Sequence, residues 1–140
     1  MTANNPPRGG VVNDERAQWA WEKVGEAYRQ DVKVQKRYSS LVRRLPSMLQ
    51  TSGLGQTMAF LFSQSKFGES NVGDQAEGSR LLYRHLAERF GVVGDNDGRG
   101  RAMDKITNMS PQDYRLESRK LQAVAEWLKR FGEGRLQTEE

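Results

Sequence analysis

Five basic residues lie close together in the first half of the chain, in a segment whose apolar residues follow helical spacing. They are Lys33, Lys36, Arg37, Arg43 and Arg44. At about 100° per residue, these side chains and Ser40 occupy one arc of roughly 120° on a helix. No Asp or Glu occurs from Val32 through Gly68, so no carboxylate on the same helix neutralises them. Such a face can contact a line of phosphates without reading a base sequence.

The other side of this segment is apolar, which predicts a helix with one face in the core. The apolar residues fall within about 100° of arc, and they are Val34, Tyr38, Leu41, Val42 and Leu45. Residues 1–66 carry 10 basic and 5 acidic side chains, whereas residues 69–140 carry 12 and 13. Two interpretations of the basic face stay open. It attracts polyanions, or it is a solvated face that meets water or acidic patches on neighbouring proteins.

The residue types that acid–base or metal chemistry requires are scarce. His85 is the only histidine, and no carboxylate stands at metal-site spacing to it. A surface or packing role is favoured for it over that of a general base. Residues 95–100 resemble a calcium loop only superficially, because Arg99 and Ile106 occupy positions that need oxygen ligands. We therefore expect no catalytic residue, no metal site and no cofactor.

The composition is typical of one modest globular domain. The chain has 140 residues, of which 36% are hydrophobic and 29% charged. The absence of cysteine excludes disulfides, thiolate metal sites and a cysteine nucleophile. No apolar run is long enough for a bilayer, and the first ten residues lack the apolar segment of a signal peptide. We expect a cytoplasmic protein with no membrane partner and no small-molecule substrate.

Spacing and end signals divide the first half of the chain into helices. A flexible tail over residues 1–12 precedes a first helix, which begins at Asn13 or Asp14 and ends near Gln30. Its apolar stripe comprises Ala17, Ala20, Trp21, Val24, Ala27 and Tyr28. Trp19 lies off this stripe, so it either anchors an interface with another chain or folds over the edge of the core. The same two interpretations apply to Phe67, further along the chain.

The second helix is predicted for residues 32–45, and Pro46 is expected to end or kink it. A short turn follows over residues 47–52, with Gly53 as a left-handed stop. Residues 54–65 are the most apolar segment and predict a buried third helix.

The second half of the chain continues in the same manner. A loop over residues 67–74 precedes a fourth helix that Gly91 closes, and a polar loop over residues 94–100 precedes a short fifth helix. Ser110 as N-cap and Pro111 at the first helical position start the last helix, which reaches about Phe131.

No run of residues alternates as a strand requires. The sequence therefore predicts an all-α fold, a compact single-domain bundle of five to six helices. Residues 13–132 form the helical domain, and residues 133–140 form a frayed C-terminal tail.

Several stretches together resemble one family, the small subunit of the type III-B CRISPR effector (the Cmr complex). Residues 45–48 read Leu-Pro-Ser-Met, residues 53–54 read Gly-Leu, and residues 59–61 read Ala-Phe-Leu. Residues 127–131, Trp-Leu-Lys-Arg-Phe, agree with the closing helix of that family. The resemblance covers roughly residues 14–132, and its middle block is the most specific part.

The resemblance implies a non-catalytic helical protein that stacks on copies of itself and on other Cmr subunits along a filament. Such filaments hold a guide CRISPR RNA and receive a target RNA in a groove, which the small subunits line. On this basis the expected RNA-binding residues are Lys33, Lys36, Arg37, Arg43 and Arg44, with Arg16 and Lys23.

Three alternatives remain. A helix-turn-helix DNA-binding regulator would use the basic helix, although the helix after the Leu-Pro break is too apolar for a recognition helix. The small subunit of the related type III-A effector is also helical and basic, but the Leu-Pro-x-Met and Gly-Leu block favours type III-B. An enzyme would need a second chain to complete its site.

Overall fold

The computed structural model describes residues 14–93 and 100–138 of the chain. These residues form five helices and no strand, which confirms the predicted all-α bundle. The helices are α1 (Glu15–Tyr28), α2 (Val32–Ser65), α3 (Asp74–Glu88), α4 (Arg101–Thr107) and α5 (Pro111–Arg135). The tail predicted for residues 1–12 lies outside the described part. None of the described helices combines the length and the apolar character that crossing a membrane requires.

The first and last helices begin where the sequence predicts. The Asp14 carboxylate accepts a hydrogen bond from the Arg16 backbone amide at 2.8 Å. The Ser110 hydroxyl accepts one from the Asp113 amide at 3.1 Å, and Pro111 occupies the first turn of α5. These caps satisfy amide donors that have no carbonyl partner at the start of a helix.

Helix α2 bends sharply at Gly53, which divides it into a first arm (residues 32–52) and a second arm (residues 54–65). Gly53 has φ 85° and ψ 169°, a backbone conformation open essentially to glycine alone. Arg37 Nη2 lies 3.2 Å from Gln64 Oε1. In a straight helix these residues would be about 40 Å apart, so the two arms must fold back against each other.

Tyr114 of α5 fixes this bend. Its hydroxyl accepts a hydrogen bond from the Gly55 backbone amide at 2.8 Å. An amide just after the bend has no helical carbonyl partner, and the phenol oxygen replaces one. This hydrogen bond joins the start of α5 to the turn of α2 and holds the chain reversal at Gly53.

The prediction that the second helix ends at Pro46 was wrong, whereas the alternative of a kink there stays a prediction. Helix α2 continues through Pro46, and Gly53 is the residue inside it that departs from helical angles. Pro46 is buried, and its carbonyl accepts a hydrogen bond from Gln122 Nε2 of α5 at 3.1 Å. Because proline has no amide, the Val42 carbonyl four residues earlier loses its helical donor, and an internal proline costs a helix roughly 3 kcal/mol. Burial of Pro46 and its bond to α5 contribute stability that the sequence does not display.

The first arm of α2 is the central element, because α3 and α5 pack along its two sides and α1 closes the bundle against α5. Burial of each large apolar side chain contributes about 1.5–3 kcal/mol. The fully buried apolar residues of the core include Val24, Tyr38, Leu41, Leu45, Met58, Leu82, Leu86, Val124 and Leu128.

Helix α5 extends beyond its predicted end. It continues to Arg135, four residues past Phe131. Leu136 is buried, and the Gln137 backbone amide donates to Gln35 Oε1 at 2.9 Å. The tail predicted for residues 133–140 therefore starts too early, because α2 supplies a binding surface for this segment that its own composition does not indicate.

A methyl group at Gly78 is predicted to destabilise the bundle. A Cβ there would lie 2.6 Å from the Arg37 Cβ and 3.0 Å from the Val34 carbonyl oxygen, so α3 would have to move away from α2. We expect Gly78→Ala to lower the free energy of unfolding by about 1–3 kcal/mol, measured by urea denaturation.

Gly134→Ala is the matched control. Gly134 also lies in a helix, and no heavy atom would lie within 4 Å of its Cβ. Alanine favours helix over glycine by up to about 1 kcal/mol, so this variant should be as stable as the wild type or slightly more stable. Equal stability of the two variants would contradict the close α2–α3 contact.

Candidate nucleic-acid interface

The buried side of the first arm of α2 is wider than its apolar residues indicate. Gln35, Ser39 and Pro46 are buried beside the predicted apolar set. The buried arc therefore spans roughly 160°, since α3 and α5 both pack against this arm. The exposed part of the basic face is therefore narrower, because α3 and α5 each cover one of its edges.

Arg37 lies at the edge that faces α3. Its Nη2 donates to Gln64 Oε1 at 3.2 Å, and its Nε lies 3.4 Å from Ser79 Oγ. Gly78 approaches its Cβ, and the side chain is partly buried. Arg37 thus joins both arms of α2 to α3, and its guanidinium is occupied within the bundle.

Arg43 lies at the opposite edge, toward α5. Its Nε donates to the buried Ser39 Oγ at 3.1 Å. Arg43 is partly buried, so it flanks the basic face and does not project from its centre.

The centre of the face consists of Lys33, Lys36 and Arg44, which we call the central cations. Lys33 and Arg44 are exposed, and Lys36 is partly exposed. Within residues 14–93 and 100–138, no carboxylate oxygen lies within 4.0 Å of their charged nitrogens. Lys33 and Arg44 are three helical turns apart, or about 16 Å along the axis. These cations are available to a ligand.

An open groove with a volume of about 530 Å³ continues the central cations toward α3. Lys33 and Lys36 line one side of it, and Lys66 is a third cation in its wall. Glu69 and Asp74 also line the groove and reduce its positive field. Lys66 is not among the binding residues predicted from the sequence, although it lies in the same acid-free stretch. The fold of α2 at Gly53 is what brings Lys66 near the start of this helix.

The structure does not bring Arg16 and Lys23 to the basic face. Both lie on α1, whose main packing partner is α5. Lys23 Nζ forms an ion pair with Glu88 Oε1 of α3 at 2.8 Å. Helical spacing alone does not show this, because the partner of Lys23 is 65 residues away in sequence.

His85 belongs to a buried clamp that joins three helices. Its Nδ1 lies 2.8 Å from the Tyr38 hydroxyl of α2, and its Nε2 lies 3.0 Å from Glu26 Oε1 of α1. His85 is 2% exposed. Burial lowers the pKa of its imidazole, and the hydrogen bond with His85 lowers the pKa of Glu26 to about 2.

The hydrogen-bond partners of His85 determine which ring nitrogen carries the proton. An ionised carboxylate only accepts hydrogen bonds, so Nε2–H donates to Glu26; a neutral imidazole then accepts from the Tyr38 hydroxyl at Nδ1. Both ring nitrogens are satisfied inside the bundle, which suits a packing role and leaves the ring inaccessible to a substrate. The described residues hold no group of three or more His, Cys, Asp or Glu that could bind a metal ion.

The two aromatic residues with open roles both fold over the edge of the core. Trp19 Nε1 donates to Glu88 Oε1 at 3.3 Å, and the ring is partly buried. Phe67 packs against Phe62 and Tyr83, with ring centroids 5.7 and 5.6 Å apart. Trp21 behaves in the opposite way: it was predicted to lie in the core but is 50% exposed.

Comparison with known proteins agrees with this architecture. Residues 12–135 match the family described as CRISPR-associated protein (Cas_Cmr5). The chain belongs to the Cmr5 family. A curated relative, the CRISPR system Cmr subunit Cmr5 of Thermus thermophilus, is 31% identical over 117 residues, which cover 84% of this chain and 89% of the relative.

A solved Cmr5 structure also has the same fold. The crystal structure of a CRISPR-associated Cmr5 family protein from Thermus thermophilus aligns with a TM-score of 0.66 at 28% identity, and the alignment covers 87% of this chain and 94% of that one. The resemblance to the type III-B small subunit is thereby confirmed and is favoured over the type III-A alternative. The basic residues of α2 lie within the matched range.

The clamp predicts a loss of stability on mild acidification. Below about pH 6.5 the histidine of the unfolded chain binds a proton, whereas burial lowers the pKa of His85 in the folded chain. As the pH is lowered, the unfolded state therefore binds a proton before the folded state does. The free energy of unfolding decreases as the pH decreases. As the pH falls below about 6.5, we expect the free energy of unfolding to decrease by up to about 1.4 kcal/mol per pH unit, measured by urea denaturation.

His85→Gln is the control for this slope. His85 is the only histidine, so the variant should be less stable than the wild type but nearly independent of pH over the same interval. An equal slope in the two proteins would show that His85 is not the group responsible.

Proposed function

We propose that this Cmr5-family chain is a non-catalytic small subunit of a type III-B CRISPR effector and that it holds the guide–target RNA by its backbone. The main support for this proposal is the set of central cations on α2. These cations, Lys33, Lys36 and Arg44, have no carboxylate partner among the described residues. Contact of this kind supplies affinity that does not depend on base sequence. Sequence selection would come from base pairing between guide and target, by analogy with other RNA-guided systems.

The geometry of the central cations fits an extended polyanion better than a small anion. Lys33 and Arg44 lie about 16 Å apart along one helix, so a single phosphate cannot reach both. The groove beside Lys33 and Lys36 provides room of about 530 Å³ next to the face, with Lys66 on its far side. Arg37 and Arg43 are assigned a supporting role, because each already donates within the bundle.

The same geometry disfavours a helix-turn-helix regulator. The helical segment after the first arm of α2 is its second arm, in which Leu54, Met58 and Leu61 are buried. A recognition helix must enter a DNA groove with exposed side chains, and this arm instead contributes to the core. Tight binding of the isolated chain to duplex DNA would restore that alternative.

Partners of the proposed subunit are other Cmr subunits, copies of itself, CRISPR RNA and target RNA, in the cytoplasm. Affinity purification of the tagged chain from its native cell should recover CRISPR RNA together with several larger proteins. Sequencing of the RNA and mass spectrometry of the proteins are the measurements. Recovery of the chain alone, or with chromosomal DNA, would contradict the assignment.

Charge reversal of the central cations should weaken RNA binding in the assembled complex. In Lys33→Glu/Arg44→Glu, two phosphate contacts are lost, so target-RNA affinity should fall at least about tenfold at low salt. The slope of log affinity against log salt concentration should decrease in magnitude by about 2. Filter binding over a salt series is the measurement.

Arg115→Glu/Arg119→Glu makes the same change in net charge on exposed residues of α5, away from the basic face. It should leave the salt slope nearly unchanged. Lys33 suits the test better than Arg37, because Arg37→Glu would break contacts inside the bundle. If both double variants bind target RNA like the wild type, the basic face is not the RNA contact.

A further inference from the structure

A second surface, distinct from the basic face, runs along the groove between α1 and α5. Two of its rings, Trp21 and Tyr28, belong to the stripe predicted for the core, yet each is 50% exposed. Both project toward α5 instead of entering the bundle. The two rings lie on the same side of the bundle and share the Arg135 guanidinium, and contiguous exposed apolar surface of this kind is typical of a contact surface.

The rings form a continuous series, which we call the aromatic ladder. Trp127 stacks on Phe131 with centroids 5.4 Å apart, and Phe131 meets the edge of Trp21 at 5.1 Å. The Arg135 guanidinium then lies 5.0 Å from the Trp21 ring centroid and 4.6 Å from that of Tyr28. The ladder therefore combines planar groups from two helices: it begins with two stacked rings of α5 and ends in a ring of α1, a guanidinium of α5 and a second ring of α1.

The cationic part of the ladder packs over Gly25 of α1. A Cβ at Gly25 would lie 3.5 Å from Arg135 Nη1 and 3.7 Å from Arg29 Nη1. Both guanidiniums thus lie over the bare backbone of α1. In the parts of the chain that the structure describes, neither has a carboxylate oxygen within 4.0 Å. Glu22, next to Trp21 in sequence, is exposed and pairs with no described residue.

We infer that the aromatic ladder binds unpaired nucleobases of single-stranded RNA by stacking; this rests on the proposal that the chain is an RNA-contacting subunit. Exposed rings beside cations are the combination that binds single strands, because every base has a π face and every nucleotide carries a phosphate. Trp21 and Tyr28 supply the faces, and Arg29 and Arg135 supply the charge.

Two observations favour RNA over a protein partner at this surface. A protein that covered the ladder would have to desolvate two guanidiniums that have no carboxylate partner among the described residues, which is costly unless it supplies carboxylates. The ladder also ends beside the proposed backbone contact: Tyr28 closes α1, and α2 with Lys33 begins four residues later. A strand held by Lys33 at its phosphates is therefore near the ladder when it leaves the paired region.

The test compares two labelled strands with the full chain: an oligoadenylate of about ten nucleotides, long enough to cover a single-strand site, and a ribose-phosphate strand of the same length without bases. The wild type should bind the base-bearing strand roughly tenfold more tightly for each base that stacks.

Trp21→Leu/Tyr28→Leu keeps apolar bulk but removes both rings. It should reduce this ratio to near one and leave affinity for the abasic strand unchanged. Fluorescence anisotropy is the measurement.

Matched variants separate stacking from other effects. Trp21→Phe/Tyr28→Phe keeps two rings and should retain the base preference. Leu116→Ala removes an apolar side chain of α5 that is 42% exposed, and it should change nothing. Lys33→Glu/Arg44→Glu should lower affinity for both strands by the same factor, since it acts through the phosphates.

The outcomes distinguish this inference from the proposed function. A wild type without base preference, or a Leu double variant that keeps the preference, overturns the ladder as a base-binding site even if the charge variant weakens both strands. If the Leu double variant keeps the base preference but no longer assembles into the effector complex, the ladder is a protein contact. That result also overturns the ladder as a base-binding site. If the Leu variant loses the base preference and the charge variant has no effect, the result supports the ladder as a base-binding site. It also contradicts the basic face as an RNA contact.

Discussion

The reversal of α2 at Gly53 is the constraint on which the remaining structure depends. A positive φ allows the second arm to return beside the first, and the Tyr114 hydroxyl holds the turn through the Gly55 amide. The reversal provides a surface on which α3 can pack against both arms, with Arg37 connecting the three segments. Without it, the first arm would have one neighbour fewer, and the apolar second arm would have no interior to enter.

Packing on both sides of the first arm in turn selects which cations are available. The five basic residues of the segment are equivalent in the sequence, but α3 engages Arg37, and Ser39 on the α5 side engages Arg43. Lys33, Lys36 and Arg44 remain in the centre without carboxylate partners in the described ranges. Cations at the edges of a helix face thus stabilise the bundle, whereas those at its centre can serve a ligand.

Buried polar contacts define how the helices fit together. The clamp of Glu26, His85 and Tyr38 joins α1, α3 and α2, and each ring nitrogen of the histidine has a partner. An unpaired polar group in the same place would cost about 1–3 kcal/mol, so the clamp favours one arrangement of the three helices. A shift of α1 would also displace the groove in which Trp21 and Tyr28 meet Arg135.

The sequence by itself determined the helical class, the start of the first helix to within one residue (Asn13 or Asp14), the cap at Ser110, the stop at Gly53 and the segment that carries the basic face. These features depend on neighbours within a few residues, which a linear pattern records. The tertiary structure decided the outcome at Pro46, which is buried and joined to α5 through its carbonyl. It also decided the exposure of Trp21, because an apolar residue on a stripe can face either the core or a groove. Which helix packs on which edge is a long-range property, and no local spacing contains it.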